Sequence, residues 1–366
     1  MEKIQTICIV TPTLTYGGAE KNAINLANEF VKKHDVSIVV FKKSKQLFGL
    51  IDKRVKVFDL GVQKIRYVLN KLRKKLELIK PDYVLSVMMG SNIPLGILSF
   101  MRHKYCVVFR EVSTMNKRVE NGSFNKILKI KLMQLSYRKA DVIIANSFDT
   151  KKDLIKYKIV GNEKIVVLGN PVLPDNYKDL MCEYVEHKWL DNDKYKVFLM
   201  VGRLVPAKNN ILVIKVFSEI IKKIKEARLI IVGTGVSEKE IQEKVDELKI
   251  NEYVDMIGYR KNTYPYYNKS DLFILSSNYE GFGNVLVEAL ACGVRVVSTD
   301  CPGGPRDILE NGRYGRLVPV NNPNVMYEAI ISTMLEPDIN RDERMAWAAG
   351  FRADKIAERY FDAMNL

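Results

Sequence analysis

Two glutamates, Glu280 and Glu288, flank a glycine-rich loop in the last third of the sequence. An apolar strand pattern ends just before this loop, and a helical pattern begins near Asn284. Gly281 and Gly283 have no Cβ, so a ligand can approach the backbone closely. Each carboxylate can accept two hydrogen bonds from the hydroxyl groups of a neutral polyol.

The start of the predicted helix offers a second kind of interaction. Its first N–H groups have no partner within the helix and point at the place where an anion such as a diphosphate can bind. In open α/β sheets, ligands bind at the carboxyl ends of the strands, which is where this loop lies. We therefore expect a phosphorylated ligand here, oriented by the backbone of Gly281, Phe282, Gly283, Asn284 and Val285.

Three motifs together resemble the family-four retaining glycosyltransferases of the GT-B fold. The first is the spacing of Glu280 and Glu288, followed by the segment Val296–Pro305. The second is Val201–Asn210, which is similar to the family's G-R-L…K-x-N segment, and the third is Tyr16–Glu20, which is similar to its G-G-x-E loop. The resemblance covers nearly the whole chain.

The resemblance implies roles for the residues that match. Arg203 and Lys208 would bind the donor diphosphate, where fixed positive charge stabilises the negative charge that grows on the leaving group. Glu280 would bind the hydroxyls of the donor sugar, and Glu288 the ribose hydroxyls. In relatives, the loop of Gly17, Gly18 and Glu20 lies near the donor phosphate and the acceptor. A tight turn with Glu20 at a helix start is the alternative for that loop.

Three weaker sites follow other strands. Gly233, in Val232–Gly235, could lie against the nucleotide, although the segment fails as a dinucleotide fingerprint. Tyr259 and Arg260 follow a strand where relatives use the backbone around the base, and a simple turn is equally compatible. On the acceptor side, relatives carry a Glu-His pair where this chain has Glu111 and Val112, so only Glu111 is carried over, with Ser113 or Thr114 as possible sources of hydroxyls.

Strand and helix patterns alternate along the chain, which predicts an α/β fold with parallel sheets covered on both faces. The resemblance adds the GT-B arrangement, two Rossmann-like domains whose parallel sheets face a central cleft. We expect an N-terminal acceptor domain over residues 1–170, a linker over 171–195 and a donor domain over 196–345. The tail Arg341–Met364 is predicted as a helix, and residues 346–366 are expected to return to the first domain.

The charge is concentrated in one half of the chain. The formal net charge is +15, and residues 1–180 hold 33 Lys+Arg against 16 Asp+Glu, so the remainder is slightly acidic. The helical patterns Lys64–Lys80 and Phe124–Lys139 carry much of this excess, and they either pack on the sheet with solvated lysines or contact anionic lipid headgroups. No nucleic-acid-binding module is recognisable.

The sequence also argues against a membrane span, a disulfide framework and a metal site. The uncharged run Val84–Met101 has Gly, Ser, Asn and Pro near its middle, which predicts strand, turn and helix rather than a membrane span. The five cysteines are scattered, as expected of reduced thiols, and the three histidines lack metal-ligand spacing. The triplet Asp191-Asn192-Asp193 lies in the charged linker, so we expect neither a metal nor another cofactor.

The family resemblance implies a retaining transferase that moves a hexose or N-acetylhexosamine from a UDP-sugar to a saccharide acceptor, in bacterial surface-glycan biosynthesis. A lipid-linked acceptor would place the enzyme in the cytoplasm, peripherally on the inner face of the cell membrane. Two alternatives remain: a nucleotide-sugar epimerase or hydrolase on a similar frame, and a non-catalytic partner subunit. Turnover without an acceptor would indicate the first, and UDP binding without turnover the second.

Overall fold

The computed structural model of the chain describes residues 3–15, 17–42, 47–62, 67–112 and 123–365, without the side chains of residues 123–126. Tyr16, Ser113 and Thr114 lie outside the described residues, as does the start of the predicted helix Lys64–Lys80. The chain divides into two compact units. The first comprises Met1–Val172 and Arg352–Leu366, and the second comprises Leu173–Phe351.

The first unit contains a seven-stranded sheet in the order β3-β2-β1-β4-β5-β6-β7, in which every described pairing is parallel. Its strands are β1 (Thr6–Thr11), β2 (Asp35–Val40), β3 (Lys56–Asp59), β4 (Tyr83–Ser86), β5 (Cys106–Glu111), β6 (Val142–Ala145) and β7 (Ile165–Val167). Its helices are α1 (Gly18–Phe30), α2 (Val68–Ile79), α3 (Met89–Leu98), α4 (Ser123–Tyr137), α5 (Phe148–Lys156) and, from the chain's end, α14 (Ala353–Met364).

The second unit contains a six-stranded sheet in the order β10-β9-β8-β11-β12-β13, also parallel in its described pairings. Its strands are β8 (Lys196–Val201), β9 (Ala227–Val232), β10 (Val254–Gly258), β11 (Leu272–Leu275), β12 (Arg295–Thr299) and β13 (Arg316–Val318). Its helices are α6 (Tyr177–Cys182), α7 (Asn210–Lys223), α8 (Glu238–Glu247), α9 (Tyr264–Asn268), α10 (Asn284–Ala291), α11 (Pro305–Ile308), α12 (Pro323–Leu335) and α13 (Arg341–Ala348).

Alternating side chains of the central strands enter cores on opposite faces of each sheet. In β1, Cys8 and Val10 belong to one buried cluster, whereas Ile7 and Ile9 belong to another. A strand buried on both faces is apolar along its whole length, which is why these strands were recognisable as short uninterrupted apolar runs. The predicted α/β fold with two parallel sheets is confirmed.

Both sheets reverse their strand order next to their first strand. In the first unit the order changes direction between β1 and β4, and in the second between β8 and β11. The loops after the two strands that flank a reversal diverge to opposite faces of the sheet and leave a crevice at its carboxyl edge. The Val201–Asn210 and Glu280 motifs follow β8 and β11, so they flank the reversal in the second unit.

The expected linker differs from the structure. Residues 173–195 belong to the second unit and include α6, which packs on α9. Tyr177, Met181 and Trp189 are buried, and the side-chain amide of Asn262 donates to the Leu180 carbonyl at 2.8 Å. Because these apolar residues follow no regular period, the sequence pattern did not indicate that the segment is packed.

The C-terminal tail is two helices rather than the single predicted helix. α13 ends at Ala348, and Arg352 has an extended backbone before α14 begins. The break falls where the chain passes from the second unit to the first. Fully buried Arg110 donates to the Tyr360 hydroxyl of α14 at 2.9 Å and to Asn170 at 2.6 Å, which fixes this helix within the first unit.

Two smaller expectations also need correction. The predicted Gly-Ser-Asn turn at residues 90–92 is the first turn of α3, and the short strand β13 had no recognisable sequence pattern. Within the described part of the chain, no helix is both long enough and apolar enough to cross a bilayer.

Candidate active site

The loop after β8 carries the two basic candidates, Arg203 and Lys208. Gly202 leaves the strand with φ 151°, and a 3-10 turn over Pro206–Lys208 leads to Asn209, which has a left-handed backbone (φ 48°) before α7. The amide of Asn209 donates to Asn321 Oδ1 at 2.7 Å. These contacts hold the loop at the carboxyl edge of the sheet.

The loop after β11 is joined to the β8 loop by hydrogen bonds from both backbone and side-chain groups. Ser276 Oγ donates to the Lys208 carbonyl at 2.7 Å, and the N–H of Asn278 donates to the Ala207 carbonyl at 2.8 Å. The Asn209 amide also reaches Asn278 Oδ1 at 3.2 Å. The two loops on either side of the strand-order reversal therefore form one structure.

Lys208 and Glu280 meet at the centre of this structure. The Lys208 ammonium lies 2.5 Å from Glu280 Oε1, and Ser277 Oγ donates to the same oxygen at 2.5 Å. The side chains are only 19% and 11% exposed, so water screens this pair weakly. The bond uses one of the three donors of the ammonium, which leaves the others able to contact an anion.

Two glycines let neighbouring loops pack closely on this pair. Gly303 has φ 127°, and a Cβ there would lie 2.4 Å from the Glu280 carbonyl oxygen. The Glu280 N–H donates to the Pro302 carbonyl at 2.9 Å. At Gly233 (φ 137°) a Cβ would lie 1.9 Å from the Gly202 carbonyl oxygen. The Gly233 backbone therefore packs against the start of the β8 loop.

Arg203 projects from the β8 loop as an exposed cation. Within the part of the chain that the structure describes, no hydrogen bond or ion pair joins its guanidinium to Glu280 or Glu288. A small pocket beside it is lined by Gly202, Arg203, Lys208 and Ser276. Two cations thus flank a concave surface at the reversal of strand order.

Glu288 lies in α10 and is contacted from α9. The Tyr267 hydroxyl donates to Glu288 Oε2 at 3.3 Å, and Tyr267 is fully buried. Burial and the negative charge of Glu288 raise the pKa of Tyr267 well above its usual value, so the phenol stays protonated as a donor. The contact restrains the carboxylate of Glu288.

The backbone between the two glutamates turns sharply into α10. Gly283 has φ 100° and caps the helix that begins at Asn284, as the sequence predicted. The Phe282 side chain is buried against Phe351, with ring centroids 5.8 Å apart, so only its backbone can contact a ligand. Gly281, Asn284 and Val285 are half-buried.

Burial and, secondarily, the charge of Glu280 raise the pKa of the nearby Cys301 thiol to about 12. Cys301 is therefore protonated at neutral pH and is not a nucleophile.

The candidates after β10 lie at the edge strand of the sheet. Tyr259 is 62% exposed, and Arg260 donates to the Tyr259 carbonyl at 3.1 Å and to the Tyr266 hydroxyl at 3.2 Å. β9 and β8 separate this strand from the reversal between β8 and β11.

In the first unit, the Gly17–Glu20 loop follows β1, beside the reversal of that sheet. The Glu20 carboxylate accepts from Thr15 Oγ1 at 3.2 Å and from Thr13 Oγ1 at 3.4 Å, and it lies where a Cβ on residue 17 would be. Gly18, the first residue of α1, is exposed. Glu20 thus hydrogen-bonds to the segment that leads into α1. Its carboxylate lies at the start of this helix, where the helix dipole favours a negative charge.

Glu111 differs from the expectation that it lines a cleft, because it is fully buried within the first unit. Its carboxylate accepts from the Tyr137 hydroxyl at 2.7 Å and from the Val112 N–H at 3.0 Å. Asn92 donates to the Tyr137 oxygen at 2.9 Å. The Glu111 carboxylate thus takes part in a buried hydrogen-bond network within the first unit.

Sequence analysis missed Tyr267 and Ser277. Ser277 lies in the loop that carries Glu280, and its position three residues before Glu280 could have indicated a hydrogen bond across the turn. Tyr267 carries no comparable signal, because it reaches Glu288 from a separate helix 21 residues earlier. Among the described residues, no group of three His, Cys, Asp or Glu side chains has the geometry of a metal site.

Two family models match separate parts of the chain. Residues 185–350 match the model described as Glycosyl transferases group 1, and residues 16–176 match the model described as Glycosyltransferase Family 4.

Relatives from Campylobacter jejuni are named as transferases that act on lipid-linked sugars. One, N-acetylgalactosamine-N,N'-diacetylbacillosaminyl-diphospho-undecaprenol 4-alpha-N-acetylgalactosaminyltransferase, is 34% identical over 236 residues. That match covers 64% of this chain and 62% of the relative, so the chain spans less than two thirds of that relative's length. Another, GalNAc-alpha-(1->4)-GalNAc-alpha-(1->3)-diNAcBac-PP-undecaprenol alpha-1,4-N-acetyl-D-galactosaminyltransferase, is 27% identical over 329 residues, covering 85% of this chain and 84% of the relative.

Among solved structures, HepE of Anabaena in complex with UDP superimposes with a TM-score of 0.82 at 19% identity, covering 99% of this chain and 100% of that one. HepE has also been solved with UDP-glucose. At this identity the likeness establishes the fold, and it agrees with the two parallel-sheet units described above.

Proposed function

Because this chain belongs to the glycosyltransferases that the group 1 and family 4 models describe, we propose that it transfers a hexose or N-acetylhexosamine from a UDP-sugar to a saccharide carried on a lipid. The observation that carries the proposal is the Lys208–Glu280 pair at the reversal between β8 and β11, with Arg203 beside it. The names of the Campylobacter relatives support the lipid-linked acceptor, and the HepE complexes support UDP as the nucleotide.

The positive groups would act on the leaving diphosphate. In transfer, the bond between the sugar anomeric carbon and the diphosphate oxygen breaks, a bond to an acceptor hydroxyl oxygen forms, and UDP departs. Lys208 can contact the diphosphate while it keeps its bond to Glu280, because an ammonium has three donors. Arg203 adds a second cation where negative charge develops.

The two glutamates would bind the neutral parts of the donor. Glu280 Oε1 already accepts from Lys208 and Ser277, which orients Oε2 for the hydroxyls of the donor sugar. Glu288, restrained by Tyr267, would bind the ribose hydroxyls. Backbone N–H groups from Gly281 to Asn284 would orient the sugar and phosphate. The base would lie near Gly233, Tyr259 and Arg260.

We assign retention of the anomeric configuration to the reaction. A departing diphosphate on the attacked face can accept the proton of the acceptor hydroxyl, so no protein nucleophile is required. Gly17 and Gly18 are proposed to contribute to donor binding, and Glu20 is proposed for the acceptor side. The buried carboxylate of Glu111 leaves that residue only a supporting role. Nuclear magnetic resonance of the product tests retention, since an inverted linkage would contradict it.

The reaction is proposed to need no metal: Arg203 and Lys208 line one pocket, and their two positive charges would neutralise the diphosphate. We expect the transfer rate to be unchanged after dialysis against EDTA. A rate that EDTA abolishes and added magnesium or manganese restores would refute metal independence.

The experiment is a screen for UDP release from UDP-glucose, UDP-galactose and their N-acetylated forms, with and without a bacterial lipid extract. Release that requires the extract supports the proposal and identifies the donor. Release without any acceptor would instead support a hydrolase or epimerase. UDP binding with no turnover of any donor would support a non-catalytic subunit. Peripheral attachment to the inner face of the cell membrane is part of the same proposal.

A further inference from the structure

Helix α4 of the first unit has apolar residues on both of its sides. Met133 and Tyr137 are buried on the inner side. On the outer side, Ile127, Leu128 and Leu135 are 54%, 50% and 47% exposed. A surface helix of a globular protein normally turns polar residues outward. Among the described residues, none of these three belongs to the buried apolar clusters of the two sheets.

Cations alternate with these exposed apolar residues. At 100° per residue, Lys131, Arg138 and Lys139 fall in the same sector of the helix and the following turn as Ile127, Leu128 and Leu135. All six side chains are exposed, and we call them the α4 face. Residues 123–139 include five Lys+Arg and no Asp or Glu.

The surface continues beyond α4 to neighbouring elements. The Lys139 ammonium lies 4.7 Å from the centre of the Phe100 ring, and Arg73 Nη1 of α2 lies 3.9 Å from Met101 Sδ. Phe100 and Met101 are 50% and 46% exposed. Apolar groups interleaved with cations therefore extend from α4 across the 99–101 turn to α2.

The α4 face is held on a firm base. A Cβ on Gly96 of α3 would lie 2.5 Å from the Ser136 carbonyl oxygen, so the two helices pack backbone to backbone. The Tyr137 hydroxyl donates to buried Glu111 at 2.7 Å. α4 can thus expose its outer residues to a partner while it stays packed on the rest of the first unit.

We propose that the α4 face, with Phe100 and Met101, docks on an anionic lipid bilayer. Apolar side chains enter the boundary between headgroups and acyl chains, while the adjacent cations contact the headgroup phosphates. A nucleic acid would use the cations but offers no apolar layer to Ile127, Leu128 and Leu135. The excess of Lys+Arg over Asp+Glu in residues 1–180 favours the same partner.

This docking proposal rests on the proposed function, because it assigns the surface that would bring the enzyme to a lipid-linked acceptor. An acceptor sugar carried on a lipid stays at the bilayer surface. An enzyme bound to that surface would therefore meet its acceptor by diffusion in two dimensions rather than three. The docking surface itself involves none of the donor-site residues, so it can be tested separately from catalysis.

The test is co-sedimentation of the full-length chain with vesicles of phosphatidylglycerol and phosphatidylcholine, or of phosphatidylcholine alone. One variant carries Ile127→Asn with Leu128→Asn, and a second carries Lys131→Glu with Arg138→Glu. The matched control carries Lys223→Glu with Lys225→Glu, which makes the same change in net charge at exposed residues of the second unit. Circular dichroism and the thermal unfolding transition, compared with wild type, check that each variant is folded.

We expect the wild-type chain to bind the anionic vesicles and not the neutral ones. Each α4-face variant should lose at least about tenfold in vesicle affinity, and the control should bind like wild type. The proposal is overturned if wild type ignores anionic vesicles, if the face variants bind as well as wild type, or if the control loses as much. Binding of duplex DNA through Lys131 and Arg138, without vesicle binding, would overturn it as well.

The outcomes separate the two proposals. Vesicle binding without UDP release from any donor would refute the transferase function alone. UDP release without vesicle binding would refute the docking surface alone.

Discussion

Glu280 is the residue through which the two motif loops of the second unit act on each other. One carboxylate oxygen accepts from both Lys208 and Ser277, and the backbone N–H is bonded to Pro302. A side chain held by two hydrogen bonds, on a backbone that is itself hydrogen-bonded, loses little conformational entropy when a sugar binds. Such an arrangement suits a residue that positions a substrate.

Replacement of Glu280 by Gln tests this role. Glu280→Gln keeps the shape but removes the charge, and hydrogen bonds to charged groups contribute about 1.5–3 kcal/mol, so transfer should fall by about 10- to 100-fold. UDP itself should still bind, because Glu280 is assigned to the sugar. The control is Glu219→Gln, which removes an exposed carboxylate that is also paired with a lysine, 2.7 Å away. Normal transfer by folded Glu280→Gln protein would contradict the assignment.

We expect Tyr267 to be a positioning residue that acts through Glu288. Tyr267→Phe removes the hydroxyl that donates to Glu288 Oε2, a net contribution of about 0.5–1.5 kcal/mol, so the donor KM should rise by about two- to tenfold with kcat nearly constant. Steady-state kinetics with varied UDP-sugar measure the split, and Tyr253→Phe serves as the control. An unchanged donor KM would show that Glu288 needs no restraint from α9.

At the scale of elements, the glycines after β12 determine how close the Glu280 loop can come to the rest of the site. Gly303 and Gly312 both have positive φ, of 127° and 100°. A Cβ on Gly303 would strike the Glu280 carbonyl, whereas a Cβ on Gly312 would meet open space. Comparing substitutions at these two glycines therefore separates the effect of backbone strain from the effect of steric collision.

We expect Gly303→Ala to lower the free energy of unfolding by more than Gly312→Ala does. Backbone strain of about 1–3 kcal/mol applies to both, and the collision applies only to Gly303. Transfer should fall in Gly303→Ala and be retained in Gly312→Ala. Denaturant unfolding and transfer rates measure both effects, and equal behaviour of the two variants would show that the close approach at Gly303 is unimportant.

The elements of the fold could be predicted from the sequence, and their side-chain contacts only in part. Buried parallel strands such as β1 and β8 are short apolar runs, which is a local property. The helix break after Ala348 depends instead on which unit each residue joins, and the buried position of Glu111 depends on Tyr137, which is distant in sequence. Lys208 and Glu280 were both predicted from their motifs, but their direct contact is a product of the strand order.

At the scale of the whole molecule, the two units differ in charge and in the surfaces they present. The excess of Lys+Arg over Asp+Glu lies in residues 1–180, and the α4 face is part of this basic segment. The Lys208–Glu280 site lies in the second unit. We therefore assign the proposed nucleotide recognition and the proposed membrane attachment to different units, and we expect that each can be altered without the other.

The central claim is that a uridine diphosphate binds where the loops after β8 and β11 meet. Isothermal titration calorimetry of UDP into wild type, Lys208→Met and Lys222→Met tests it most directly. Methionine keeps much of the aliphatic stem and removes the charge, and Lys222 is an exposed lysine paired with Glu219.

Wild type and Lys222→Met should bind UDP equally, and Lys208→Met should bind it at least about tenfold more weakly, because a charge-assisted hydrogen bond to phosphate is lost. The claim is contradicted if wild type does not bind UDP, or if folded Lys208→Met binds it as tightly as wild type.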